Sequence, residues 1–130
     1  TAPTNDTFKG ALYLTTATIN ASTTAYSATG EVSGTGYTAG GVAVTNATAP
    51  TYSNTSSTAG TAYWTPSASL SFTSVTLTTA FDTVLIYNST QGNRAVSVHT
   101  FGSQTVTAGT FTLTMPSNST STALLRLATT

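Results

Sequence analysis

Seven side chains of this 130-residue chain could support acid–base or metal chemistry, and they are scattered from one end to the other. Such chemistry requires two or three titratable groups to converge. His99 lies beside Ser97 in an alternating segment, and no strained nucleophile turn of the GxSxG type occurs in the chain. We interpret His99 as a structural or surface histidine. The sequence therefore predicts a protein that is not an enzyme, with no catalytic residue, no cofactor and no metal site.

The remaining polar candidates have simpler interpretations. Asp82 and Arg94 are expected to form an ordinary cross-strand ion pair. Asp6 and Glu31 are too isolated for a calcium loop, which needs several closely spaced oxygen ligands. The glycine-rich stretch SGTGYTAGG is not followed by Lys-Ser/Thr or by an expected helix, so its glycines are read as turn residues and not as a phosphate cradle.

Aromatic side chains are the best candidates for a functional surface. Tyrosine and tryptophan anchor protein interfaces, and their rings also provide platforms on which sugars stack. The residue types alone leave both possibilities open. The interface candidates are Tyr26, Tyr37, Tyr52, Tyr63 and Trp64.

The composition is rich in hydroxyls and poor in charge. Thr and Ser supply 50 residues, whereas there are three Lys and Arg residues and three Asp and Glu residues, for a formal net charge of zero. This balance argues against electrostatic recognition of nucleic acid or of a membrane surface. A solvated surface normally carries many more charges. A surface of Thr, Ser, Ala and Tyr favours burial against other subunits, because no ions need to be desolvated there.

Alternation with a period of two predicts strands and argues against a disordered Thr-rich stalk. The predicted strands cover residues 11–19, 41–47, 61–65, 69–74, 84–87, 95–101, 110–115 and 124–127. The continuously apolar run of residues 84–87 is expected to be buried on both faces. Residues 23–41 and 49–60 are predicted to be exposed loops. We expect one antiparallel β-sandwich or barrel domain of about eight strands spanning residues 1–130, with residues 1–10 as an N-terminal arm.

Two blocks of sequence carry a family resemblance. They are ALYLTTATINASTTAYSATGEVSGTGYTAGG, residues 11–41, and VLIYNSTQGNRAVSVHTFGSQTVTAGTFTLTMP, residues 84–116. Together with the opening NDTFK they cover roughly half to two thirds of the chain. In these blocks the chain resembles a family of small virion structural proteins of tailed bacteriophages, and it is similar to their capsid cement or decoration proteins.

The resemblance implies a jelly-roll β-sandwich located on the outer surface of a phage capsid. Its partners would be the major capsid protein and other copies of itself, in a homotrimer, and its function would be to stabilise contacts between shell subunits. The alternative function is a tail or surface module that binds host carbohydrate through the aromatic candidates.

Overall fold

Strands account for all the regular secondary structure in the residues that the computed structural model describes, which are 5–45, 51–54 and 60–129. The all-β, antiparallel class is therefore confirmed for this part of the chain. Seven strands form here instead of about eight: β1 (Phe8–Leu14), β2 (Val42–Ala43), β3 (Thr51–Asn54), β4 (Gly60–Trp64), β5 (Leu70–Asn88), β6 (Arg94–Leu113) and β7 (Leu125–Ala128).

The strands form two sheets. The chain divides into two compact units, one containing Thr1–Val44 and Leu70–Thr112 and the other containing Thr45–Ser69 and Leu113–Thr130. The first unit holds a four-stranded sheet in the order β2-β1-β5-β6, and the second holds a three-stranded sheet in the order β3-β4-β7. The jelly-roll topology and the single sandwich domain stay predictions.

The pair β1–β5 is the centre of the first unit. Ala11 lies opposite Leu85, and both side chains are fully buried. Residues 84–87 are buried along their whole length, as predicted. On one face of this strand pair, Ala11 and Leu85 pack in a cluster with Tyr13 and Tyr87. On the other face the start of β5 covers β1 so closely that a Cβ added to Gly10 would lie 2.6 Å from Leu70 Cδ1.

The β5–β6 hairpin folds back on itself around an aromatic cluster. Phe101 and Phe111 both belong to β6, and ten residues of straight strand span about 33 Å. Their ring centroids nevertheless lie 5.4 Å apart, and the Phe81 ring meets both edge-on at 6.1 and 4.9 Å. Phe72 and Tyr37 extend the cluster, with centroids 5.8 Å apart. The bend therefore gives the first unit a second apolar layer.

The length of β5 and β6 corrects the sequence prediction, which divided each of them into two shorter strands. The intervening Thr- and Ser-rich stretches remain extended, because threonine favours the β backbone even where both of its faces are exposed. Ser74 in β5 has φ of 54° and Ala108 in β6 has φ of 46°. These left-handed residues change the local direction of the strands without ending them.

Residues 23–41 contain no strand, yet isolated bridges pair this segment with the sheet. Glu31 is bridged to Tyr13 in β1, and Thr35 is bridged to Thr76 in β5. Residues 8–10, which were assigned to an N-terminal arm, lie in β1. Residues 1–4 of that arm are outside the described residues.

The second unit shows another difference from the sequence prediction. Residues 51–54, within the stretch expected to be an exposed loop, form β3 and pair with β4. On its other side β4 pairs with β7, where Ala62 lies opposite Leu127 and Trp64 lies opposite Leu125. The rest of residues 46–59 lies outside the described residues.

Candidate interaction surfaces

Glu31 is the centre of a hydrogen-bonded cluster in the first unit. Tyr26 Oη donates to Glu31 Oε2 at 2.7 Å, and Tyr37 Oη donates to Glu31 Oε1 at 2.7 Å. The Gly40 backbone N–H donates to Oε1 at the same distance. A carboxylate that accepts three hydrogen bonds is a stabilising group, since each bond is charge-assisted. We name Glu31, Tyr26, Tyr37 and Gly40 the Glu31 cluster.

The Glu31 cluster is tied to the buried strands. Tyr37 Oη accepts the Leu12 backbone N–H at 3.0 Å, and Tyr87 Oη donates to the Gly40 carbonyl oxygen at 2.8 Å. The Tyr26 ring stacks on the Tyr87 ring with centroids 4.8 Å apart. These contacts hold the irregular segment after β1 against β1 and β5.

Burial keeps the phenols of this region protonated. Desolvation raises the pKa of Tyr13 to about 12. Desolvation also raises the pKa of Tyr26 and of Tyr37, and their hydrogen bonds to Glu31 raise it further. Two of the five aromatic candidates therefore have their hydroxyls engaged within the chain at neutral pH.

The other three aromatic candidates lie in the second unit. Tyr52 is 76% exposed, whereas Tyr63 is half-buried and Trp64 is only 8% exposed. Tyr52 is opposite Ala62 across β3–β4, and Ala62 is opposite Leu127 across β4–β7. Directly opposed residues of adjacent strands project from the same face of a sheet. Tyr52, Ala62 and Leu127 therefore form an exposed row, which we name the Tyr52 row.

The Tyr52 row includes Leu127, which is not among the interface residues predicted from the sequence. Leu127 is 77% exposed, although its strand pattern suggested an ordinary half-buried position. A shallow groove of about 250 Å³ lies beside it, lined by residues 62–64 and 125–127. No sequence signal distinguished Leu127, because its exposure depends on which strands pair across the sheet.

Two of the few charged groups, Asp6 and Arg126, are held by contacts within the chain. Asp6 accepts hydrogen bonds from the side-chain amides of Gln91 and Asn88 at 3.0 and 2.7 Å, and these bonds lower the pKa of Asp6. Arg126 Nη1 donates to two backbone carbonyl oxygens of the loop before β7, each at 2.9 Å. The surface chemistry is therefore dominated by hydroxyl and apolar groups.

The expected pairing of Asp82 with Arg94 is wrong. Arg94 is the first residue of β6, next to the hairpin turn, whereas Asp82 lies six residues before the end of β5. The two positions are at different distances from the turn, so they are not opposite each other. Asp82 Oδ1 instead accepts the Thr83 hydroxyl at 2.8 Å.

His99 is half-buried in β6. Its Nε2 lies 2.9 Å from Ser97 Oγ, and burial lowers its pKa. The interpretation of His99 as a structural or surface histidine stays a prediction.

Metal-binding side chains, membrane-spanning helices and similarity to other proteins are each guides to function. Within residues 5–45, 51–54 and 60–129, no three His, Cys, Asp or Glu side chains are grouped closely enough to hold a metal ion. The same residues include no helix that is both long and apolar enough to cross a membrane. No protein-family model, curated protein or solved structure matches this sequence. Functional assignment therefore rests on the chain's own motifs and surfaces.

Proposed function

We propose that this chain is a bacteriophage capsid cement protein. It binds the outer surface of the shell, stabilises contacts between major capsid proteins and performs no catalysis. The resemblance of residues 11–41 and 84–116 to phage virion proteins supports this function. The structural observation that carries it is the Tyr52 row, an exposed apolar strip on a nearly uncharged molecule.

The Tyr52 row suits a contact with a shell subunit. A tyrosine ring supplies a large, rigid contact area, and Leu127 next to it supplies a purely apolar one. Neither side chain carries a charge that would need to be desolvated on binding. Burial of such a row across a boundary between shell subunits opposes their separation, because opening the shell would expose this area to water again.

The test uses particles of the encoding phage that lack this protein. Purified protein is added, and occupancy on the shell is measured by sedimentation and by reconstruction of the particle from electron micrographs. Tyr52→Ser and Leu127→Ser are expected to weaken binding about tenfold or more each. Val42→Ser, which removes a partly exposed apolar side chain from β2 of the first unit, is the control and is expected to bind normally.

The salt dependence gives a second criterion. An apolar, hydrogen-bonded contact is little affected by ionic strength, whereas screening weakens contacts between exposed charges. Release of the protein from virions by a modest rise in salt would contradict the proposed contact. Binding that is unaffected by both Tyr52→Ser and Leu127→Ser would remove the Tyr52 row from the interface.

The carbohydrate-binding module remains the second candidate because Tyr52 is a strongly exposed ring. Sugar stacking would depend on the ring of Tyr52 and not on Leu127. A cement protein is expected in hundreds of copies per particle, whereas a tail module is expected in at most a few dozen. Low copy number together with glycan binding that is lost in Tyr52→Ser would favour the second candidate.

A further inference from the structure

β6 forms the longest edge of the four-stranded sheet, and one end of this edge already accepts an extended segment of the same chain. The Ala95 N–H donates to the Thr24 carbonyl oxygen at 2.9 Å, and the Tyr26 N–H donates to the Asn93 carbonyl oxygen at 2.9 Å. This short pairing is antiparallel. It shows that this edge of β6 can pair with an antiparallel segment.

A groove follows directly along the same edge. It has a volume of about 590 Å³ and is lined on one side by residues 19–21 and Thr23 and on the other by residues 95–98 and Thr100 of β6. Val96 is one of its lining residues and is 37% exposed, and no charged side chain lines the groove. Among the described strands β5 is the one that pairs with β6, and no backbone hydrogen bond from a described turn or loop reaches residues 96–113. The groove therefore leaves room beside an unpaired strand.

The two-residue repeat of a strand predicts which N–H and C=O groups of β6 face the free edge. Alternate residues of a strand direct their N–H and C=O groups to the same edge. Asn93 and Ala95 direct theirs to the free edge, as their bonds to the Thr24–Tyr26 segment show. At the same two-residue interval, Ser97 and His99 present the next donors and acceptors.

The lack of charged side chains along β6 favours pairing with an identical strand from a second copy of the chain. Exposed edges are normally protected from strand addition by lysine, proline or inward-pointing charges. Residues 95–113 of β6 contain no Lys, Arg, Asp, Glu or Pro. An identical strand could therefore approach this edge without repulsion between like charges. Two antiparallel copies of one strand are related by a twofold axis, so the contact closes and does not propagate into a filament.

We propose that β6 pairs antiparallel with β6 of a second copy of this chain, through the edge that carries Ser97 and His99. The contact joins the four-stranded sheets of the two copies into one continuous sheet across the dimer. It is separate from the shell contact and does not depend on it. It also differs from the homotrimer that the family resemblance implies, since the axis is twofold.

The test measures the oligomeric state of the full chain by sedimentation equilibrium, together with hydrogen exchange. A concentration-dependent dimer is expected, with slowed exchange at the Ser97 and His99 amides. Val96→Lys and Thr100→Lys place a charge at the edge and are expected to weaken the dimer about tenfold or more. Val96→Thr keeps the β-branched shape, and Thr78→Lys puts the same charge on an exposed position of β5. Both are expected to leave the dimer unchanged.

Three results would overturn the proposal. They are a monomer at all concentrations up to roughly millimolar, a dimer that resists both edge lysines, and a trimer. Slowed exchange at Ser97 and His99 that occurs only on capsid shells would assign this edge to the shell protein instead of a second copy. Circular dichroism of each variant shows that it is folded, and two independent edge variants keep the result interpretable if one of them fails to fold.

Discussion

Tyr37 donates its hydroxyl hydrogen at 2.7 Å to Oε1 of Glu31, which lies six residues earlier in a segment that contains no strand. The bond connects an irregular segment to a carboxylate that also accepts hydrogen bonds from Tyr26 and Gly40. Hydrogen bonds to a carboxylate are stronger than bonds between neutral groups, so this one side chain contributes to the order of the segment.

Glu31→Gln should lower the free energy of unfolding by about 1–3 kcal/mol, because the amide replaces one accepting oxygen with a donor that faces other donors. Urea denaturation monitored by circular dichroism measures this loss. Asp82→Asn is the control, since the carboxylate of Asp82 accepts the hydroxyl of the neighbouring Thr83. Equal effects of the two variants would show that the Glu31 cluster contributes no special stability.

Alkaline pH should unfold the protein cooperatively as the buried tyrosines ionise. The folded-state pKa of Tyr13 is raised to about 12 by burial, above its value of 10.0 when unperturbed. The neutral phenol is therefore favoured in the folded state, and this stabilisation is present below pH 10 and is lost as the pH rises toward 12. Tyrosinate absorbance and far-ultraviolet circular dichroism should change together. Ionisation of Tyr13 near pH 10 without loss of β structure would contradict the assignment.

Ala108→Gly should stabilise the protein by about 0.5–1 kcal/mol. Ala108 has φ of 46°, a left-handed conformation that glycine adopts without a Cβ penalty. Thr107→Gly, one residue earlier in β6, should have the opposite sign, because it adds backbone entropy to the unfolded chain and removes a β-branched side chain. Thermal or urea unfolding of both variants tests the pair, and a shift in the same direction would refute this account of the bend.

Gly41→Ala should destabilise the protein far more than Gly92→Ala. Both glycines have positive φ, 74° and 65°. A Cβ at Gly41 would collide with the Gly10 carbonyl oxygen in β1, whereas nothing lies within 4 Å of a Cβ at Gly92. Gly92→Ala is expected to cost about 1 kcal/mol through backbone strain alone. Comparable soluble yield and unfolding midpoints for the two variants would contradict the close approach at Gly10.

Much of the strand content could be predicted from the sequence, because the alternation of apolar and polar side chains is visible within a few consecutive residues. The buried run of residues 84–87 and the all-β class both follow from hydrophobic patterning. The bend of β5–β6 was not accessible, because it depends on contacts between rings that are distant in sequence, such as Phe81 with Phe101 and Phe111.

The candidate surfaces were predictable only in part, and for a similar reason. Tyr52 could be selected by its residue type, but its exposure could not be derived from the sequence, since exposure depends on sheet pairing. Glu31 was judged isolated because its partners were not recognised. A tyrosine five residues before it and another six residues after it were the available signal, and only the folded segment brings both hydroxyls to the carboxylate.

The bent hairpin has a consequence for the order of folding during synthesis. β5 and β6 are joined by a five-residue connection, so their pairing closes a short loop at low entropic cost. β1 is synthesised before β5, yet Ala11 pairs with Leu85, which leaves the ribosome about 70 residues later. β1 must therefore wait for β5 before it can pair. The rate at which β1 docks, and not the closing of the hairpin, should limit how quickly the nascent chain becomes resistant to proteolysis.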